Sequence, residues 1–139
     1  MISTVLVPME DSEMSERALE HALEAYPDAE ITVLHVVGEP SPMMGQAMSL
    51  VLEDGLEHAA EAHAEDVFER AREIAAEHDA EVSTRFALGS PAKAIVNTAK
   101  DFDVVVVGSH GGTLAERLVV GNVAEKVFRR SPVPVTVVR

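Results

Sequence analysis

The sequence predicts an α/β fold: an open, parallel five-stranded sheet with helices on both faces. Three observations lead there. β-branched runs alternate with amphipathic stretches along the whole chain. The run Val104 to Val107 is four consecutive valines, the pattern of a strand covered on both sides. The resulting order, β-α-β-α-β-α-β-α-β, builds a parallel sheet through right-handed crossovers.

The elements follow in order. Ile2 to Pro8 is a short apolar run closed by proline and reads as the first strand. Met14, Ala18, Leu19, Ala22 and Leu23 recur at three-to-four spacing, which describes a helix with one buried stripe. Ile31 to Val37 is the second strand. The segment Gly38 to Ser49 is dense in Gly, Pro, Ser and Met and reads as a loop; Met43, Met44 and Met48 either close flexibly over a ligand or pack as anchors. From Leu50 to about His78 the residues Leu52, Leu56, Ala60, Val67, Ala71 and Ile74 trace a stripe against a wall of glutamates, a long helix with a solvated face. Val82, Thr84, Phe86 and Leu88 alternate with Ser83, Arg85 and Ala87, so the third strand has one exposed side and belongs at a sheet edge. Ser90 and Pro91 start a helix, with serine as cap and proline in the first turn. Ala94, Ile95, Thr98 and Ala99 form its buried face, and it ends near Asp101. A Gly-rich turn follows the valine strand. A helix from about Leu118 to Arg130 and a last strand, Val133 to Val138, complete the chain.

Length and composition bound the function. The 139 residues are one domain's worth of chain, expected to span 1–139. No apolar run approaches the roughly 18 residues that cross a bilayer. Met1 to Pro8 lacks the basic start and cleavage site of a secretory signal, so a cytoplasmic protein with no membrane association is expected. The absence of cysteine removes disulfides, thiolate metal sites and thiol nucleophiles. The net charge of −13 repels nucleic acid. With lysine only at 93, 100 and 126, the acidic surface resembles one adapted to high salt. The charge is uneven: Glu53 to Glu81 sums to −9, whereas Gly108 to Arg139 sums to +3. The positive quarter is where an anionic ligand is tolerated.

That quarter holds the informative motif, Gly108-Ser109-His110-Gly111-Gly112 followed after nine residues from Gly111 by Gly121-Asn122-Val123. Phosphate oxygens need backbone N–H groups with no Cβ in the way, and a glycine at a helix N-terminus adds the positive end of the helix dipole. Any one glycine also serves merely to turn the chain; the set, with its local positive charge, favours phosphate. In a doubly wound sheet the ligand lies beyond the carboxyl ends of the strands, which designates Pro8 to Ser12 and Val107 to Gly112. His110 would contact phosphate or act as an acid or base; a loop residue that supplies a hydrogen bond is favoured over a catalytic one. His58, His63 and His78 do not share a compact helix face, so no metal site is assigned to them, and no catalytic residue is assigned.

The segments VGSHGGTLAERLVVGNVAEKVFRRSPVPVTVV and VLVPMEDSEMSERALEHAL resemble the universal stress protein family across essentially the whole chain. The resemblance implies a Rossmann-like sheet of strand order 3-2-1-4-5 and a homodimer paired through the last strand, Val133 to Val138. It also implies a stress-response protein that binds ATP or a related adenine nucleotide, with Mg or Mn accompanying the phosphates and needing no protein cage of its own. By the same resemblance Gly108, Gly111 and Gly121 are phosphate-loop glycines, Val107 flanks the base, and Pro8 and Val36 line the adenosine pocket. Ser109, His110, Gly112 and Val123 belong to the same two segments. Two positions depart from the family pattern: Glu10 stands where aspartate is usual, and Asn122 where Ser or Thr is usual. Glu10 is one methylene longer, and Asn122 keeps the backbone N–H while replacing a hydroxyl with an amide.

Rival α/β readings lack their chemistry. A receiver domain needs an aspartate ending its third strand and a lysine after its fifth, where this chain has Leu88 and Arg139; a flavin site wants aromatic walls, and the chain has no Trp and only Tyr26; the P-loop signature is absent. No base stands beside a water-positioning group, so a nucleotide-holding regulatory or sensing module with slow or partner-dependent hydrolysis is expected. A slow hydrolase acting alone and a ligand-free dimeric interaction protein are the alternatives.

Overall fold

The computed structural model describes residues 1–37, 61–109 and 121–139. It contains β1 (Thr4–Pro8), α1 (Glu13–Ala25), β2 (Glu30–Val37), α2 (61–77), β3 (Ser83–Leu88), α3 (Pro91–Ala99), β4 (Val104–Gly108), α4 (Asn122–Arg130) and β5 (Val135–Val138). All five strands are parallel and lie in the order β3-β2-β1-β4-β5, as the family resemblance implies. The loop expected over 38–49, the first part of the helix expected from Leu50, residues 50–60, and the expected turn from His110 to Val120 lie outside the described residues, and with them Met43, Met44, Met48 and His58.

The sheet separates two cores because successive strand residues point to opposite sides. Val5, Val7, Ile31, Val33, Val104 and Val106 pack against α1 and α2. Leu6, Leu34, Val105 and Val107 pack against α3 and α4. The four valines of β4 are therefore all buried, from 0% to 6% exposed, as their sequence requires. In α1 the five expected stripe residues are buried, joined by Ser15. In α2 the buried set is Ala64, Val67, Phe68, Ala71, Ile74 and Ala75. Among the described residues the edge strand β3 pairs with β2 alone; Ser83 and Arg85 are exposed as the alternation predicts, whereas Leu88, expected on the other side with Val82, Thr84 and Phe86, is 59% exposed at the end of the strand.

Helix ends are set by local chemistry. Ser12 is extended (φ −148°, ψ 149°), and its hydroxyl accepts from the Ser15 N–H at 3.2 Å to cap α1, a contact worth about 1 kcal/mol. α2 closes with Asp79 in the left-handed region (φ 54°), the Ala80 N–H reaching the Ala75 carbonyl at 2.9 Å and the Asp79 N–H reaching Ala76 at 3.1 Å. This is a Schellman closure with aspartate where glycine is usual.

Several expected boundaries are corrected. β1 begins at Thr4 rather than Ile2, and the Ser3 and Thr4 N–H groups at its start donate to the Asp103 carboxylate at 2.8 and 3.1 Å. Ser90 is at the N-cap of α3, yet its hydroxyl makes no capping bond; Pro91 removes one donor from the first turn. The buried face of α3 is Ala92, Ile95 and Ala99, with Ala94 and Thr98 only partly covered. That helix stops at Ala99, since the Asp101 and Phe102 N–H groups fall back on Thr98 and Ala99 in tight turns. α4 starts at Asn122, not Leu118, because Gly121 is extended (φ −65°, ψ 158°). β5 starts at Val135: the Val133 N–H is taken by the Ser131 hydroxyl at 3.1 Å, and Pro134 has no N–H to offer.

Candidate functional site

Parallel register brings the carboxyl ends of β2, β1 and β4 together. Pro8 is paired with Leu34, and Val5 and Leu6 with Val104 and Val105, so continuing the offset sets Pro8 beside Val107. Pro8 has the parity of Leu6, Val36 that of Leu34, and Val107 belongs to the same core. The three residues expected around a nucleoside thus share the α3/α4 side of the sheet. Pro8 is buried, Val36 half-buried and Val107 6% exposed.

The strand order reverses between β1 and β4, and here α1 and α4 depart to opposite faces. Ser109, 2% exposed, continues β4: its N–H donates to the Val138 carbonyl at 2.7 Å, and its carbonyl accepts from the Gly121 N–H at 2.5 Å. That second bond sets the N-terminus of α4 against the exit of β4. The first intrahelical bond of α4 is Glu125 N–H to Gly121 carbonyl at 2.9 Å, so the amides of Asn122, Val123 and Ala124 precede the ladder. Gly121 has no side chain with which to cap them, and Asn122 and Val123 are exposed. A helix end of this kind, in the positive part of an acidic chain, suits the phosphates of a nucleotide.

Two glycine roles differ from the sequence expectation. The Gly121 N–H is committed to Ser109, so the amides that precede the helical ladder are the next three, those of the exposed Asn122 and Val123 and of the buried Ala124. Gly108 is needed for packing: a Cβ there would stand 3.0 Å from the carbonyl carbon and oxygen of Met14, the second residue of α1. His110, Gly111 and Gly112 lie outside the described residues.

On the opposite face, a cleft of about 130 Å³ opens between the β1–α1 turn and α2. Glu10, Asp11, Glu16, His63, Asp66 and Arg70 line it. Glu10 is exposed, and its backbone is bracketed: its carbonyl accepts from the Ser12 N–H at 2.9 Å and the Ser15 hydroxyl at 2.7 Å. Arg70 bridges α2 to α1 through Glu16 at 2.5 Å. Among the described residues no three His, Asp or Glu side chains group to hold a metal.

Sequence reasoning overlooked His35. It is 4% exposed in β2, and its Nδ1–H donates to the Met9 carbonyl at 2.8 Å, since a carbonyl can only accept. The His63 ring stands edge-on at 5.3 Å and Phe68 at 6.5 Å. The available signal was parity: Ile31, Val33 and His35 lie on one side of an otherwise apolar strand, and a buried ring nitrogen needs a partner.

Comparison with known proteins locates this architecture. The model of the universal stress protein family matches residues 1–139. Universal stress protein YxiE of Bacillus subtilis is 32% identical over 148 aligned residues, covering all of both chains. Among solved structures, universal stress protein UspA of Lactobacillus plantarum superposes with a TM-score of 0.83 at 28% identity, covering 99% of this chain and 98% of that one. A universal stress protein crystallised in complex with cAMP superposes with a TM-score of 0.71 at 28% identity, covering 99% and 97%.

Proposed function

The chain belongs to the universal stress protein family, and on that premise we propose that it binds an adenine nucleotide, ATP foremost, as a regulatory or sensing module. The single observation that carries this reading is the tip of α4. Three successive amides ahead of the helical ladder, a cap residue without a side chain, and the Ser109 to Gly121 bond put the positive helix end at the strand-order reversal. The relative that was crystallised with cAMP supports the ligand class.

In this reading the phosphates meet the N–H groups of Asn122, Val123 and Ala124, with His110, Gly111 and Gly112 completing the loop. Pro8, Val36 and Val107 provide the apolar surround of the nucleoside, and Glu10 meets its sugar. Mg or Mn arrives on the phosphates. Hydrolysis is slow or requires a partner. The chain pairs with a second copy through β5, whose outer side has no strand neighbour among the described residues.

The test is direct. Perchloric-acid extraction of protein purified from cells, followed by nucleotide chromatography, is expected to release adenine nucleotide. Calorimetry with Mg present is expected to rank ATP above AMP, because only the longer tail engages the helix tip. Empty protein that gives no heat with either nucleotide overturns the reading, and phosphate release over hours measures the hydrolysis.

A further inference from the structure

We propose that His35 is a positioning residue of this site: it holds the turn that carries Glu10 where the nucleoside end of the ligand is met. The proposal rests on the nucleotide reading above and adds a residue to it.

The turn is fixed from two sides. On the α1 side, Ser12 and Ser15 bracket the carbonyl of Glu10. On the sheet side, Met9 is the last residue tied to β2 through its N–H, which donates to the Leu34 carbonyl at 2.8 Å. Its carbonyl, immediately before Glu10, accepts from His35 Nδ1 at 2.8 Å. Among the described residues this is the one side-chain hydrogen bond from β2 to the turn.

An aliphatic side chain would fill the position as well, because Ile31 and Val33 precede it on the same face of the strand. What histidine adds is a donor aimed at a backbone carbonyl, and burial makes that bond stronger than the same bond in water. The rings of His63 and Phe68 meet the imidazole edge-on, at interplanar angles of 62° and 89°, and pack beside it on the α2 side. The hydrogen bond from the imidazole ties the main chain at Met9 to β2. Because His63 also lines the cleft beside Glu10, the imidazole is linked to the same turn from α2.

Two variants separate positioning from packing. His35→Phe keeps the ring volume and removes the donor. His35→Asn keeps a donor near the place of Nδ1 and loses volume. Melting temperature is expected to rank Phe above Asn, since the smaller side chain leaves a cavity. Nucleotide affinity by calorimetry is expected to rank the other way. His35→Phe should lose about tenfold, the effect of one hydrogen bond at the upper end of the usual range, equally for ATP and AMP. His35→Asn should stay within about twofold of the parent, a small fraction of that same bond. Affinity that follows melting temperature, or that is unchanged in His35→Phe, overturns the proposal. If the parent binds and Gly121→Val abolishes ATP binding while His35→Phe does nothing, the positioning role alone fails; if the parent binds no nucleotide, the site reading fails and this role with it.

Discussion

Gly108 faces the backbone of Met14 so closely that a Cβ at 108 would lie 3.0 Å from both the carbonyl carbon and the carbonyl oxygen of that residue. The neighbour is main chain in the first turn of α1, held by the Ser12 cap, and it cannot swing aside as a side-chain tip would. Gly108→Ala is therefore expected to destabilise the protein by about 1–3 kcal/mol, the range for an added methyl in a packed interior. Urea unfolding measures it. An unchanged midpoint would show that α1 moves away freely.

Gly121 has an ordinary backbone conformation, φ −65° and ψ 158°, which any residue adopts. Gly121→Val should consequently fold with a melting temperature close to the parent's. Its side chain, placed at the tip of α4, is expected to abolish ATP binding in calorimetry. Parent-like affinity in this variant would remove α4 from the site.

Asn122 is exposed at the first position of α4 and offers its backbone N–H whatever its side chain. Asn122→Ser is expected to hold or tighten ATP affinity, by at most about tenfold if the hydroxyl adds one hydrogen bond. A large loss would assign the Asn amide a role of its own.

Asp103 accepts from the Ser3 and Thr4 N–H groups, and these backbone bonds, that of Ser3 foremost, lower its pKa below the ordinary carboxylate value. Because the folded-state pKa is the depressed one, the stabilisation is complete above the unfolded-state value, near 4, and fades as pH falls through the folded-state value. The melting temperature of Asp103→Asn should fall below the parent's by a constant margin from neutral pH down to about 5, with the margin narrowing below about 4. A gap that persists unchanged into strong acid would contradict the assignment.

What the sequence discloses is whatever depends on residues near one another along the chain. The stripe from Met14 to Leu23, the valines of β4 and the alternation that exposes Ser83 and Arg85 are statements about neighbours within an element, and the structure agrees with each. The glycine spacing likewise predicts a helix start at Gly121, and α4 begins at the next residue. Strand order came from family resemblance rather than from periodicity. The unforeseen features are contacts between distant segments: the Asp103 carboxylate on Ser3, 100 residues away, the His35 ring on the Met9 carbonyl, and the Gly108 approach to Met14. Helix and strand ends were misjudged where a side chain or a proline intercepts the backbone, as Ser131 and Pro134 do before β5.

The peptide groups on either side of the Ser109 Cα are engaged in two directions, the amide by the final strand and the carbonyl by the residue that opens the final helix. Neither neighbour can be displaced at that point without pulling on the other. Two hydrogen bonds and one residue thus join the rim of the sheet to the helix tip.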